Sequence, residues 1–313
     1  MKRKRITQVI VSIVAAACLL ALTGCTSYPS VKEAMDADAK QPAVSAPTVQ
    51  TDGVLTIGVN SSNAPYAWAP DSSSSVIQGV DVDVALALAE QMGLTARFVN
   101  VGTGVNGASA GTVDVVMGVS PTQITDGLSV VVGSYADAAP AVFTKGSAGT
   151  GIGLDEIIAG PTGVQSDSAS SKTLAEMAPT AQQTGFSTLN EAFDALEAGA
   201  VKYVVCDSFM GGYLATSYDD VELAGALQMP STRGIAIAAG NSELQSAVQS
   251  AMDELASNGL QDLIRTAWVG ELPAIGASNQ IAPATAPVPA APAAEATPAE
   301  GEATAEGTEP AAA

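Results

Sequence analysis

Gly79-Val80-Asp81-Val82-Asp83-Val84-Ala85 lies between two apolar runs, and the order of those three pieces decides the architecture. Ahead of it, Val54 to Val59 is β-rich and reads as a strand, followed by a Pro- and Ser-rich loop up to Gly79. Asp81 or Asp83 is suited to cap a helix in which Ala85, Leu88, Ala89 and Met92 recur on one face. Gly93 ends that helix, and Ala96 to Val101 resumes a strand.

The alternation continues outward. Gly111-Thr112 turns the chain into a strand over Val113 to Val119, and Ala141 to Thr144 reads as a strand leading out of a first lobe. A second lobe opens with a strand over Thr162 to Gln165 and a helix starting near Ser168. A helix over Leu189 to Ala200 follows, then a buried strand over Val201 to Cys206, with Asp207 capping a helix through Tyr213. Ile235 to Ala238 is a return strand, and Leu244, Val248, Met252 and Leu255 share a face of a last helix that Gly259 interrupts. Strands alternating with helices make an α/β fold with helices on both sheet faces.

The two ends have a different character. Lys2-Arg3-Lys4-Arg5 precedes an apolar run from Ile6 to Leu22, too short for an ordinary membrane span and shaped like a secretion signal. The run closes on Leu22-Thr23-Gly24-Cys25, which resembles the lipobox of bacterial lipoproteins; an ordinary signal peptide with an incidental cysteine is the alternative. The resemblance implies cleavage after residue 24 and a diacylglycerol on Cys25, a lasting anchor that holds the protein outside the cytoplasm. Residues 25–52 read as a flexible tether with a reach on the order of 30 Å. From residue 271 to 313 the chain is rich in Ala, Pro, Thr and Glu and too poor in large apolar side chains to offset ordering entropy, so it reads as a disordered tail.

Composition excludes several chemistries. The chain has no histidine, which removes Ser-His-Asp and Cys-His catalysis and the commonest zinc ligand. Once Cys18 leaves with the signal and Cys25 takes the lipid, Cys206 has no partner for an internal disulfide. A net charge of −20 argues against nucleic acid as a partner. No metal, cofactor or catalytic residue is expected.

Four segments, in this order, resemble bacterial solute-binding protein family 3, the amino-acid-binding branch of type II periplasmic binding proteins. They are Gly79 to Ala85, Ala110 to Val116 (Ala-Gly-Thr-Val-Asp-Val-Val), Leu196 to Ser208, and Arg233-Gly234-Ile235-Ala236-Ile237 with Gly240-Asn241-Ser242-Glu243-Leu244. The resemblance implies a two-lobed domain over residues 53–270, with crossovers near Lys145 and Arg233. One lobe then covers about 53–144 and 234–270, and the other 145–233. It also implies a monomer that binds a small-molecule solute in a hinged cleft and delivers it to an ABC-type permease in the same membrane.

The positions that read the ligand depart from the family pattern. Counting from Val113-Asp114, the carboxylate-clamping arginine falls at Asp126, in the stretch Ser120-Pro121-Thr122-Gln123-Ile124-Thr125-Asp126. The stacking aromatics fall at Asn63 and Val101, and the only arginines of the folded part are Arg97, Arg233 and Arg265. Asn60, Ser120, Gln123 and Ser168 remain polar candidates, with Gln165 at a matching strand end. Tyr66 and Trp68 could provide a replacement stacking surface or pack at the lobe edge. Asp207 matches the acid that meets a ligand ammonium, or serves only as a helix cap. With Asp126, it points to a cationic or amine-bearing solute. Two other readings compete: a dehydratase-like enzyme with Asp126 and Asp207 facing each other, and a degenerate lobe pair acting as scaffold or sensor. Gly102-Thr103-Gly104-Val105-Asn106-Gly107 fits a dinucleotide-loop pattern, but the next strand follows too closely to leave room for the required helix.

Overall fold

Leu55, Ile57 and Val59 are fully buried in β1 (Val54–Val59), as expected of a central strand covered on both faces. This computed structural model describes residues 40–69, 76–104, 108, 111–146 and 152–281. The signal segment, Cys25, residues 26–39, Val105-Asn106-Gly107 and the chain beyond 281 lie outside the described residues.

A short hairpin, β2 (Ser62–Asn63) and β3 (Ala67–Trp68), leads to α1 (Val80–Gln91). Neither Asp81 nor Asp83 caps α1. The free N–H groups of its first turn are met by backbone instead: Val80 N–H donates to the Pro65 carbonyl at 3.1 Å and Asp81 N–H to the Tyr66 carbonyl at 2.9 Å. Gly79 makes this approach possible, because a Cβ there would lie 2.1 Å from the Tyr66 carbonyl oxygen. Both aspartates are thereby released for other partners.

Then come β4 (Thr95–Asn100), β5 (Val115–Val119), a 3-10 turn (Pro121–Gln123), β6 (Ser129–Ala138) and β7 (Pro140–Lys145). The second lobe continues through α2 (Leu154–Ala159), β8 (Thr162–Gln165), α3 (Ala169–Met177), β9 (Gln183–Phe186) and α4 (Leu189–Glu197). It ends with β10 (Tyr203–Asp207), α5 (Ser208–Ala215) and β11 (Val221–Ala226). The chain returns as β12 (Ser231–Ala238), α6 (Ser242–Ser257) and α7 (Leu260–Val269).

Two five-stranded sheets result, ordered β4-β1-β5-β12-β6 and β11-β7-β10-β8-β9. This is the two-lobed α/β fold of type II periplasmic binding proteins. The lobe boundaries differ from those expected. β6 ends in the first sheet and β7 begins in the second, so the first crossing is at buried Ala139 rather than Lys145. The return crossing spans residues 227–230, and Arg233 lies inside β12, in the first sheet. The run Ala141 to Thr144 is buried in either lobe, and its apolar pattern does not reveal which sheet it joins.

Both ends of the lobe pair reach further than the sequence suggests. Residues 40–52, assigned to the tether, dock on the first lobe. Val44 and Val49 are buried in its core, Ala43 N–H donates to the Met92 carbonyl at 2.8 Å, and Asp114 accepts from Gln50 N–H at 2.8 Å and Thr56 N–H at 2.7 Å. Two isolated valines give no periodic signal, which is why the stretch looked unstructured. Residues 271–281, assigned to the tail, also pack. Arg265 donates to the Leu272 carbonyl, and Leu272 touches apolar cores of both lobes. Ile281 N–H donates to the Ala226 carbonyl at 2.8 Å, and its side chain is buried in the second lobe. Truncating that side chain tests the packing: Ile281→Ala should cost about 2–4 kcal/mol, read as a lowered denaturant midpoint, whereas an undocked residue would leave the midpoint unchanged.

Candidate functional site

The C-terminal ends of β1, β4 and β5, with the loops that follow, enclose a cavity of 310 Å³. Asn60 follows β1, Val101 to Gly104 follow β4, and Gly118 lies in β5 just ahead of Gln123. Strand ends of this kind are where open α/β sheets receive ligands. Two further cavities, of 270 and 370 Å³, are lined by α7 and the segment after it and touch none of those three strand ends.

Two charged residues reach the cavity, Asp81 from α1 and Arg233 from β12. Their heads converge on Gly118. A Cβ there would lie 2.5 Å from Arg233 Nη2 and 2.8 Å from Asp81 Oδ2, at a φ of 73° that disfavours a side chain anyway. Glycine therefore leaves a gap between a cation and an anion. Asp81 is buried and accepts the Tyr135 hydroxyl at Oδ1, at 2.7 Å, so its other oxygen faces the gap. The Arg233 guanidinium carbon sits over the Tyr66 ring, 3.9 Å from the centroid, and Nε is buried without a hydrogen-bond partner among the described residues.

Tyr66 links the lobes. Its ring stacks on Phe209 of α5 at 5.1 Å, and its hydroxyl donates to Asp207 Oδ1 at 3.0 Å. Asp207 also caps α5, accepting Phe209 and Met210 N–H at 3.0 Å each, and all three donors share Oδ1. Burial holds the Asp207 carboxyl above its ordinary range, against the pull of those donors and of Arg233. Burial raises Asp81 likewise, with Arg233 opposing.

The expected site residues divide. Asn60 and Gln123 line the cavity; Asn60 Oδ1 accepts Ser62 N–H at 3.2 Å and Gln123 Oε1 accepts Ser120 N–H at 2.7 Å. Ser120 is buried and bonded to Ser231 Oγ at 2.7 Å, next to the return crossing. Tyr66 and Trp68 pack in the lobe junction, Trp68 edge-on to Trp268 at 5.4 Å. Ser168 caps α3 through Ser171 N–H at 3.1 Å. Asp126 is exposed and only closes a turn on Leu128 N–H at 2.9 Å, while Asp207 sits beneath Tyr66. The expected pairing of Asp126 with Asp207 is thus not formed, because turn closure holds one in solvent and the lobe junction holds the other. Asp81, Gly118 and Arg233 were missed as site residues. In the sequence Asp81 reads as a cap and Arg233 as a crossover marker, and only the scarcity of arginine in the folded part hints at the latter.

The raised carboxyls set a sign for pH dependence. Between the ordinary value of 3.8 and their elevated folded values, the native state retains protons that the unfolded chain has released. Their contribution to stability is full below 3.8 and falls as pH rises through the folded values. Thermal melts over that window should show a shallower loss of Tm with rising pH in Asp81→Asn than in the wild type; parallel curves would contradict the assignment.

No curated protein sequence matches the chain. Among solved structures, an ancestral cationic amino acid solute-binding protein is similar at a TM-score of 0.61 and 22% identity, covering 69% of this chain and 96% of that one. The L-cystine solute receptor of Neisseria gonorrhoeae, unliganded and open, is similar at a TM-score of 0.60 and 19% identity, covering 70% and 93%. The second substrate-binding domain of Lactococcus lactis GlnP, also open, is similar at a TM-score of 0.57 and 21% identity, covering 70% and 96%. At these identities the likeness establishes the fold, whereas the family is matched directly over residues 55–271. With two lobes, two crossings and a polar cavity at the strand ends, the chain belongs to the bacterial extracellular solute-binding proteins, family 3.

Proposed function

We propose that this protein captures a small polar, amino-acid-like or amine-bearing solute between its lobes and delivers it to an ABC-type permease. The observation that carries the reading is the 310 Å³ cavity, in which the uncharged polar groups of Asn60 and Gln123 are joined by both signs of charge, on Asp81 and Arg233. A volume of that order suits a small ligand. Asp81 Oδ2 takes an amine from the first-lobe side, and Asp207, whose Oδ1 accepts Tyr66, Phe209 and Met210, adds its negative charge from the second lobe as the lobes close. The alternative is a degenerate lobe pair used as a scaffold or sensor, favoured by the family's missing arginine and aromatics. A dehydratase-like reading loses its basis, since Asp126 and Asp207 do not meet.

Calorimetry with amino acids, amines and short peptides separates the two. Binding of at least one solute is expected, and Asp207→Asn should weaken an amine-bearing ligand by about 1 kcal/mol or more. Unchanged affinity would leave Asp207 as a cap and junction residue only, and a silent panel would favour the scaffold.

The anchor belongs to the same proposal. A diacylglycerol on Cys25 would place the first lobe near a permease. With residues 40–52 docked, only residues 26–39 separate the lipid from the lobe, a span of at most about 50 Å. Full-length protein expressed in a bacterium should fractionate with membranes and take up label from a radioactive fatty acid, and Cys25→Ser should take up none. Equal labelling of the serine variant would contradict the lipid anchor.

A further inference from the structure

The family match ends at residue 271, and residues 272–281 go on to cross from the first lobe to the second. Helix α7 closes with Val269 buried in the first-lobe core and Gly270 as its cap. From Gly270 to Leu272 the chain reaches at most about 7 Å. Leu272 lies on α5 of the second lobe, where a Cβ on Gly212 would meet its Cδ2 at 2.7 Å. Arg265 of α7 donates to the Leu272 carbonyl, so the same residue is held from the first lobe as well. At its far end the segment lies along β11, an edge strand of the second sheet. Gln280 bridges Ala226 in the parallel sense, and Ile281 N–H donates to the Ala226 carbonyl at 2.8 Å. Gly225 is bare beneath it: a Cβ there would lie 2.8 Å from the Asn279 carbonyl oxygen and 2.9 Å from Ile281 Cγ1. Between the two ends, Gly276 N–H donates to Asn279 Oδ1 at 2.8 Å and Asn279 Nδ2 to the Ala274 carbonyl at 3.0 Å, which takes up the slack in a closed turn.

We infer that residues 270–281 are a third connection between the lobes, a strap that holds the unliganded molecule near one lobe angle. Two crossings make a hinge; a third fastening restricts it. A rotation that draws α7 away from α5 must pull Leu272 off Gly212, because the link from Gly270 is too short to pay out chain. The seat is only partly packed. Leu272 and Pro273 form a common wall between the cavities of 270 and 370 Å³, so side-chain contact holds Leu272 on part of its surface only. The anchor at Ile281, buried in the second-lobe core, keeps the strap down on that seat. Tyr213 of α5 also meets first-lobe rings, 6.5 Å from Trp68 and 6.0 Å from Trp268, and is the other contact able to fix the angle between α5 and α7.

The test measures the lobe angle without any solute, so its outcome is independent of solute capture. Donor and acceptor dyes are placed on keto amino acids introduced at the exposed positions Glu90 in α1 and Glu176 in α3, which leaves the cysteines untouched. Single-molecule energy transfer then gives the distribution of lobe separations. With the strap intact one separation should dominate, and others should hold on the order of 1% of molecules. Leu272→Ala should raise that minor share about tenfold, and Ile281→Ala should raise it by a smaller factor. Several well-populated separations in the intact protein would overturn the inference before any variant is made. An unchanged distribution in either folded variant would also overturn it, and would assign the restraint to Tyr213 and the two tryptophans. Should Leu272→Ala fail to fold, Ile281→Ala decides by the same criterion, since its side chain lies away from the α5–α7 contact.

Discussion

One cation placed where the lobes meet organises this molecule. Arg233 lies over Tyr66, opposite Asp81, and within the field of Asp207 and Tyr135. A charge buried so deeply needs opposite charge close by, and the carboxylates supply it. Desolvation alone would lower the Arg233 pKa, but Tyr66, Asp81, Tyr135 and Asp207 outweigh it and raise the value. The same burial lifts both aspartates and the Tyr66 hydroxyl, and Arg233 opposes the shift in each of the three. First-lobe strands β1, β5 and β12, helix α1 and second-lobe helix α5 all contribute to or border this cluster.

The fold was legible in the sequence because it is written in periodicity. The helix face of Ala85, Leu88, Ala89 and Met92 and the face of Leu244, Val248, Met252 and Leu255 are buried as read. Asp207 and Ser168 cap helices because an oxygen one position ahead of a helix reaches its free N–H groups whatever the tertiary setting. Strand membership was less legible. Phe143 packs on Phe193 of the second lobe, but no local pattern distinguishes that from packing in the first. β6, with glycine, serine and aspartate within it, gave no clean alternation and was missed.

The site was legible only in part, since it is made of long-range neighbours. Asn60 and Gln123 follow strands and could be found by position. Asp81 looked like a cap because an aspartate at a helix start usually is one; here the Pro65 and Tyr66 carbonyls fill that role and free it for Tyr135. Arg233 enters from a strand more than a hundred residues from Gly118, and no spacing rule connects them. The docked segments at residues 40–52 and 271–281 were hidden for the same reason, each resting on a few side chains whose partners are distant in sequence. These two segments extend the domain beyond the 55–271 stretch that matches the family.

The proposed solute site is the cavity bordered by Asn60, Asp81, Gly118, Gln123 and Arg233. A crystal structure of the protein with a bound solute tests it most directly. Ligand density is expected in that cavity, in contact with Asp81 and with the second lobe drawn in over it. Density confined to another cavity, or a ligand that touches neither Asp81 nor Arg233, would contradict that placement.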